Sequence, residues 1–593
     1  MLLEFLPTEL LLHLFEYLSI SDLFRAFRRL NIRFDQLLHV QFQKFHLNFR
    51  SISKTEFYQI CQNYLPLIRN QIISLRLSDD NDTPDQTRLF LSLPIQIHQL
   101  THLQSITFTH IQSKQTLQQL MVQCSSLLCL CRLKFYKCHI ALSEEESTDF
   151  FDKIWSLPKL TYCYFDICFA FENFFPNPTV VSTSLQYLTI TDIRCSFVPL
   201  SRLCQHTPNL HQLSIVFADT SLDEYTFSSP ILSITRLKLE FRCEKTVLQT
   251  LLQNLPRLQH LTISAYHCFV DGNEWEEIIR QYLPDLKTFA FIMKVLPPNC
   301  VDKEAQINKT LDTFRTKFWI EERRWFVQCH WYTSDEELQA NNIQIFTLPY
   351  VFNYFNTEGK CILAKSTNPN DTDYSTVNIV RHIRYKSTSF IDSFLSRFRF
   401  PNITYISLMF PYDEQIFDII PRLDRLKTLY ISTKADTDRD TIQLQLQILL
   451  ARTTSLHKIL FGMWLNDNCE TPSKELICNS VEELNVQGFT IDGDWRCYDH
   501  DQCLQLTQSS LVMQCKTLLI KVENQENVLD LVNNLPNLYT LIVRVANDPL
   551  EEGEFGSGSQ HDPLIEWLKE NLSSTCQITR SANIATDIRI WIQ

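Results

Sequence analysis

The chain has 593 residues, 45% of them hydrophobic, with 41 Phe, only 8 Gly and a formal net charge of -13. This composition describes a folded chain rather than a disordered one, and its acidity argues against a general binder of phosphate backbones. So few glycines also argue against an enzyme built on Gly-rich phosphate loops.

By length alone the chain holds about four domains or one elongated repeat array. No run of 18 apolar residues marks a membrane span. Glu4 and Glu9 interrupt the apolar start and no basic n-region precedes it, so no export signal is expected. The 20 cysteines lie scattered in apolar runs, which reads as reduced core thiols in the cytoplasm or nucleus.

Residues 1–45 read as three short helices. Pro7 fits a first helical turn, where its missing N–H costs nothing. Leu10, Leu14 and Leu18 recur every four residues and share one face, with Leu11 and Phe15 on the next. A helix this apolar all round has more than one buried side. Ser19 or Ser21 caps a second helix, with Asp22 in its first turn and Leu23, Phe27 and Leu30 as its stripe. Asn31 starts a third, carrying Phe34, Leu37 and Leu38. So small a unit must lean on the rest of the chain, on a partner, or on both.

Through Leu6-Pro7, Glu9-Leu10-Leu11, Leu14, Tyr17-Leu18 and Asp22-Leu23, this segment resembles an F-box. The resemblance implies docking onto the adaptor protein of a cullin–RING ubiquitin ligase, with Leu6, Pro7, Leu10, Leu11, Leu14, Leu18 and Leu23 as the adaptor-binding residues. The alternative is a helical cap on a larger domain.

From Ile72 onward a unit recurs, apolar-x-x-apolar-x-apolar, the pattern of a short strand whose inward side chains stack on their neighbours. Ile72–Leu75–Leu77, Leu103–Ile106–Phe108, Leu130–Leu133–Phe135 and Leu160–Cys163–Phe165 begin the series, and Leu538–Leu541–Val543 ends it. Units starting at 160, 185, 210, 234 and 258 are spaced by 25, 25, 24 and 24 residues. Pro158, Pro208, Pro256, Pro284, Pro401 and Pro536 each stand two residues before a first anchor. Such a Pro ends a helix and holds the following residues extended. The unit is therefore strand, turn, helix, Leu-Pro-x-Leu, next strand.

This periodicity resembles leucine-rich repeats, and with the head it resembles the leucine-rich-repeat subclass of F-box proteins. The fold class expected is α/β: an N-terminal three-helix F-box, then an irregular leucine-rich-repeat solenoid, a horseshoe or arc. The array is expected over 60–300 and 379–593, the second part ending in a cap that includes Leu564, Trp567 and Leu568. An irregular insertion with connecting repeats fills 301–378. Within it Trp319 to Tyr332 is dense in aromatics and reads as core. Residues 79–88 read as an acidic loop.

No catalytic constellation emerges, and no metal or cofactor is expected. Cys124, Cys129, Cys131, Cys138 and His139 tempt as a zinc cluster, as do Cys497, His500 and Cys503, but the first set straddles repeat anchors and nothing converges on the second. The expected function is that of a non-catalytic substrate-recognition subunit of an SCF-type ubiquitin ligase, with the head on the adaptor and the repeats on an unknown target protein. Neither nucleic acid nor membrane is expected as a partner. Target contacts are expected at non-anchor strand positions such as Gln104, Gln186, Gln212, Lys238, Gln259 and Lys287, which point away from the core. The rivals are a leucine-rich-repeat protein-binding scaffold whose head is only a cap, a small-molecule receptor with an aromatic pocket, and an enzyme.

Overall fold

The computed structural model describes residues 3–15, 18, 23, 26–27, 30–41, 45–169, 175–218, 229–296, 302–333, 342–357, 360–369, 377–385, 398–433, 439–462, 476–489, 495–548, 562–581, 584 and 586–592. Two compact units divide the chain. Unit 1 comprises 1–215, 575–584 and 590–593, and unit 2 comprises 216–574 and 585–589.

The strands form two sheets. The first holds β1 (Phe45–Asn48), β2 (Ile72–Ser78), β3 (Ser105–Thr109), β4 (Arg132–Ile140), β5 (Tyr162–Phe169), β6 (Tyr187–Cys195), β7 (Gln212–Phe217), β8 (Arg236–Phe241), β9 (His260–Tyr266) and β10 (Thr288–Val295). β11 (Phe326–Thr333), β12 (Asn342–Leu348) and β14 (Lys360–Ser366) extend it, giving 13 strands in an order that runs from β1 to β10 and then β12-β11-β14. The second sheet has 10 strands. It begins with β13 (Tyr354–Thr357), β15 (His382–Tyr385), β16 (Tyr405–Phe410), β17 (Thr428–Thr433) and β18 (Lys458–Phe461). It continues through β19 (Glu483–Asn485), β20 (Thr517–Val522) and β21 (Thr540–Val545) to β23 (Ile588–Trp591) and β22 (Gln577–Arg580).

In unit 1, β1 to β6 pair in parallel, with Leu75, Ile106, Leu133, Cys163 and Leu188 in one register row. All five are buried. Alternation makes this possible: along β5 every second residue, Cys163, Phe165, Ile167 and Phe169, is buried and those between are half-buried. Helices cover the apolar face. α1 (Thr8–Phe15) and α2 (Ile32–Gln41) lie in the head, and α3 (Lys114–Cys124) and α4 (Glu144–Trp155) connect strands. α4 begins where the Ser143 hydroxyl accepts from the Glu146 amide while the Glu146 carboxylate accepts from the Ser143 amide. Phe150 and Phe151 then meet Phe135 and Phe165 across the layer, with ring centroids 5.4 and 5.0 Å apart.

The loop after β2 folds inward rather than standing in solvent. Asp79, Asp80, Thr83, Gln86 and Thr87 are all buried. The Thr87 amide donates to Asp79 Oδ1 at 2.7 Å, and Arg50 Nε donates to Asp80 Oδ2 at 3.0 Å. Burial opposes ionisation of Asp80, but Arg50 and the Ser78 and Thr83 hydroxyls outweigh it and hold the carboxyl below its ordinary range.

The single arc expected from the repeats does not form. A stack of identical units gives one continuous parallel sheet, whereas this chain builds two sheets, and the larger turns antiparallel at β10–β12, β12–β11 and β11–β14. The cause lies in the aromatic run. β11 buries six successive residues, Val327 to Tyr332, so it needs cover on both faces and cannot take the half-open place of a repeat strand. Trp319 and Trp331 are core residues there.

The F-box head is corrected with the fold. Its expected middle helix falls largely outside the described residues, and α1 and α2 do not stand before a leucine-rich-repeat horseshoe. The recognition of an F-box protein with leucine-rich repeats, the ligase-receptor function drawn from it, and the rival repeat scaffold all required that architecture. The two-sheet topology overturns them.

Candidate functional site

The seven residues singled out in the head divide by environment. Leu11 and Leu23 are buried. They belong to the packing around Phe15, whose ring lies 4.8 Å from Phe27, itself 5.2 Å from Phe34. Pro7, Leu10, Leu14 and Leu18 are exposed, Leu10 by 51% and Leu14 by 45%, and Leu6 is half-buried. Arg33 ties the start of the chain down by donating from Nη2 to the Leu6 carbonyl at 2.6 Å. Phe5 and Ile32 are each 77% exposed.

The non-anchor strand positions Gln104, Gln186, Gln212, Lys238, Gln259 and Lys287 are exposed or half-buried. A denser constellation stands further along the strands of unit 1, on the sheet face opposite the helices. Parallel register places Arg132, Tyr162 and Tyr187 in one row and Arg76, Thr107, Lys134, Tyr164 and Thr189 in the next. Lys134 Nζ lies 5.2 Å from the centre of the Tyr162 ring, within cation–π range. The Tyr136 and Tyr164 rings lie 4.5 Å apart, and Tyr162 and Tyr187 6.5 Å apart. Burial, with Arg132 and Arg76 close by, lowers the Lys134 pKa from its ordinary value.

At the far end of this face stand Asp166 on β5 and Asp192 on β6. Partial burial, then repulsion and hydrogen bonding between the two carboxyls, raises the Asp166 pKa, against the opposing pull of the Lys137 amide and charge. Sequence reading named mostly positions beside the first anchor and passed over the outward position between the second and third anchors in these units, although it took Lys238 at that same position. The signal was present: Lys134 stands between Leu133 and Phe135, and Tyr164 between Cys163 and Phe165, where alternation turns them outward.

The cysteines weighed as metal ligands are placed by the hydrophobic layers. Burial raises the thiols of Cys138 and Cys163, and pushes Cys124 and Cys503 up to about 12. His500 Nδ1 lies 3.1 Å from Asp530 Oδ2, while Cys497 is exposed. Among the described residues no three His, Cys, Asp or Glu side chains group to hold a metal ion, and no helix is long and apolar enough to cross a membrane.

No known family model matches the chain, and comparison with curated proteins found no match.

Proposed function

We propose that the protein is a non-catalytic protein-binding molecule whose open sheet face in unit 1 receives a segment of a partner protein. The observation that carries this reading is the pair of outward rows, Arg132 and Tyr162 in one and Arg76, Lys134 and Tyr164 in the next. Tyrosine and arginine dominate the energetics of protein interfaces because they combine large apolar area with a polar tip. Tyrosines packed ring against ring, as Tyr164 is on Tyr136, have less side-chain freedom left to lose on binding. The exposed leucines of α1 offer a second apolar contact for a partner protein.

Aromatics beside cations also suit single-stranded nucleic acid. The protein reading is preferred because Asp166 and Asp192 close one end of the face with carboxyl groups and the chain carries a net charge of -13. The absence of chemistry in this proposal is supported by thiols such as Cys138 and Cys163, which burial keeps protonated and so poor nucleophiles. Residence in the cytoplasm or nucleus belongs to the same proposal, supported by cysteines that lie mostly in apolar runs.

The test is in-cell cross-linking of the full chain with identification of the proteins captured on β2–β6, followed by affinity measurement with those proteins purified. Loss of two interface tyrosines at 1 kcal/mol or more each weakens binding by about tenfold or more. Tyr162→Ala/Tyr164→Ala is expected to show that loss with native circular dichroism. Leu10→Lys/Leu14→Lys, which spares buried Leu11 and Phe15, separates the contribution of α1. Unchanged affinity in the tyrosine variant, or capture of oligonucleotides instead of protein, sinks the reading.

A further inference from the structure

Charge on the open face of unit 1 is unevenly placed. Arg76, Arg132 and Lys134 stand together on β2 and β4, and none makes an ion pair among the described residues. Asp80, whose charge favours the Arg76 guanidinium, is itself bonded to Arg50, whose charge opposes it. Arg76 Nε is buried and meets no hydrogen-bond acceptor, a condition that native structures rarely leave unexplained. Cations that outnumber their counter-charges repel one another and gain when a further anion arrives.

The other end reverses the sign. Asp166 and Asp192 stand outward on the neighbouring parallel strands β5 and β6, half-buried and exposed, close enough for their carboxyls to repel each other, which a cation between them relieves. Lys137 on β4 is the basic group beside Asp166, and Tyr164, bonded to Thr191, forms the adjoining wall. Tyr162 and Tyr164 lie between the two ends.

We infer that this face binds a charge-asymmetric, extended segment of a partner protein, an acidic stretch over Arg76, Arg132 and Lys134 and a basic side chain at Asp166 and Asp192. The inference rests on the protein-binding reading of the same face and adds the chemistry of what is bound. Neighbouring strands stand about 4.8 Å apart and an extended chain advances about 3.4 Å per residue. Two to three strand spacings from the cations to the acids therefore separate the partner's acidic and basic residues by about three to four positions. A uniform polyanion fits only half of this surface, because the aspartates repel the rest of it.

The experiment is panning of a random peptide library against the full-length protein, with each enriched peptide titrated against wild type and three variants. Enrichment of peptides with acidic residues followed or preceded at that spacing by Lys or Arg is expected. Their affinity should fall about tenfold or more in Arg132→Glu/Lys134→Glu, fall in Asp192→Lys, and weaken as salt rises. In Arg132→Glu/Lys134→Glu the selection should turn to basic peptides, which also shows that this variant is folded. Peptides without charge asymmetry that are lost in Tyr162→Ala/Tyr164→Ala yet indifferent to charge reversal overturn this inference and leave the protein-binding reading intact. No peptide dependent on the tyrosines, or binding of oligonucleotides alone, overturns both.

Discussion

His330 is wholly buried in unit 2, with its Nδ1 3.0 Å from the Tyr332 hydroxyl and its ring 4.9 Å from that of Phe346. Burial alone lowers its pKa to about 3, because an imidazolium there would lose its hydration. The unfolded chain takes up this proton near pH 6.5, whereas the folded chain does not until near pH 3. This contribution to stability is therefore intact above pH 6.5 and falls with pH below it, by about 1.4 kcal/mol per pH unit. Between pH 6.5 and 5 the native state should lose about 2 kcal/mol through this one group. Urea unfolding of unit 2, followed by Trp fluorescence at pH 7 and pH 5, should show a smaller acid shift in His330→Gln than in the wild type. An equal shift in both would refute the assignment. His330 lies in the aromatic run expected to be core, but only the packing of Phe346 against its ring reveals that the imidazole itself carries no charge.

At the level of elements, the strands of unit 1 were legible because apolar spacing records which side chains face the helices, and Leu75, Ile106, Leu133 and Cys163 stand side by side as that spacing implies. The antiparallel β11 was not legible as a strand of another kind. A strand buried on both faces loses the alternation that a periodicity search reads. The open-face site was half legible: alternation says that Lys134 and Tyr162 point outward, but only register says that they meet. A helix start shows the same limit. α5 (Gly272–Tyr282) is announced by Asp271 with Glu274 three residues on, whose side chains accept each other's backbone N–H groups. Nothing local announces why Gly272 follows the cap. A Cβ there would stand 2.2 Å from the Thr313 carbonyl oxygen, the Gly272 amide donates to Thr313 Oγ1 at 2.8 Å, and Trp319 Nε1 donates to the Gly272 carbonyl at 3.0 Å. In Gly272→Ala the gain in helix propensity of up to about 1 kcal/mol meets a backbone clash of typically 1–3 kcal/mol. Thermal unfolding should show a net loss of about 1–2 kcal/mol, and an unchanged or higher midpoint would mean that the backbone at Thr313 gives way freely.

Across the whole molecule, the feature least visible in the linear chain is the share of unit 1 supplied by its last residues. Lys54 Nζ donates to the Thr575 carbonyl at 2.6 Å over a separation of 521 residues, Gln577 Nε2 donates to Asp85 Oδ2 at 3.0 Å, and Ser581 Oγ bonds Gln112 Oε1 at 3.0 Å. Trp591 is buried completely, its ring 6.3 Å from that of Phe57. No periodicity connects such distant positions, since a pattern search compares neighbours and this contact is made by the folded chain as a whole. Loop-closure entropy grows only logarithmically with length, so a contact this remote is affordable once the intervening chain is ordered. Unit 1 therefore completes its core only when the C-terminal residues arrive. Trp591→Ala removes one of the largest core side chains and should cost about 3–5 kcal/mol. The hydrogen bonds of Lys54, Gln577 and Ser581 are partly exposed, so their loss adds less. Hydrogen exchange followed by mass spectrometry localises the effect, because amides protected only by unit 1 exchange faster when that unit opens more often. In Trp591→Ala the backbone amides of β1 and β2 should exchange faster, while those of β16 and β17 in unit 2 keep their wild-type rates. Equal protection of β1 and β2 in both proteins would mean that the tail decorates unit 1 without stabilising it, and faster exchange everywhere would mean that the two units open as one.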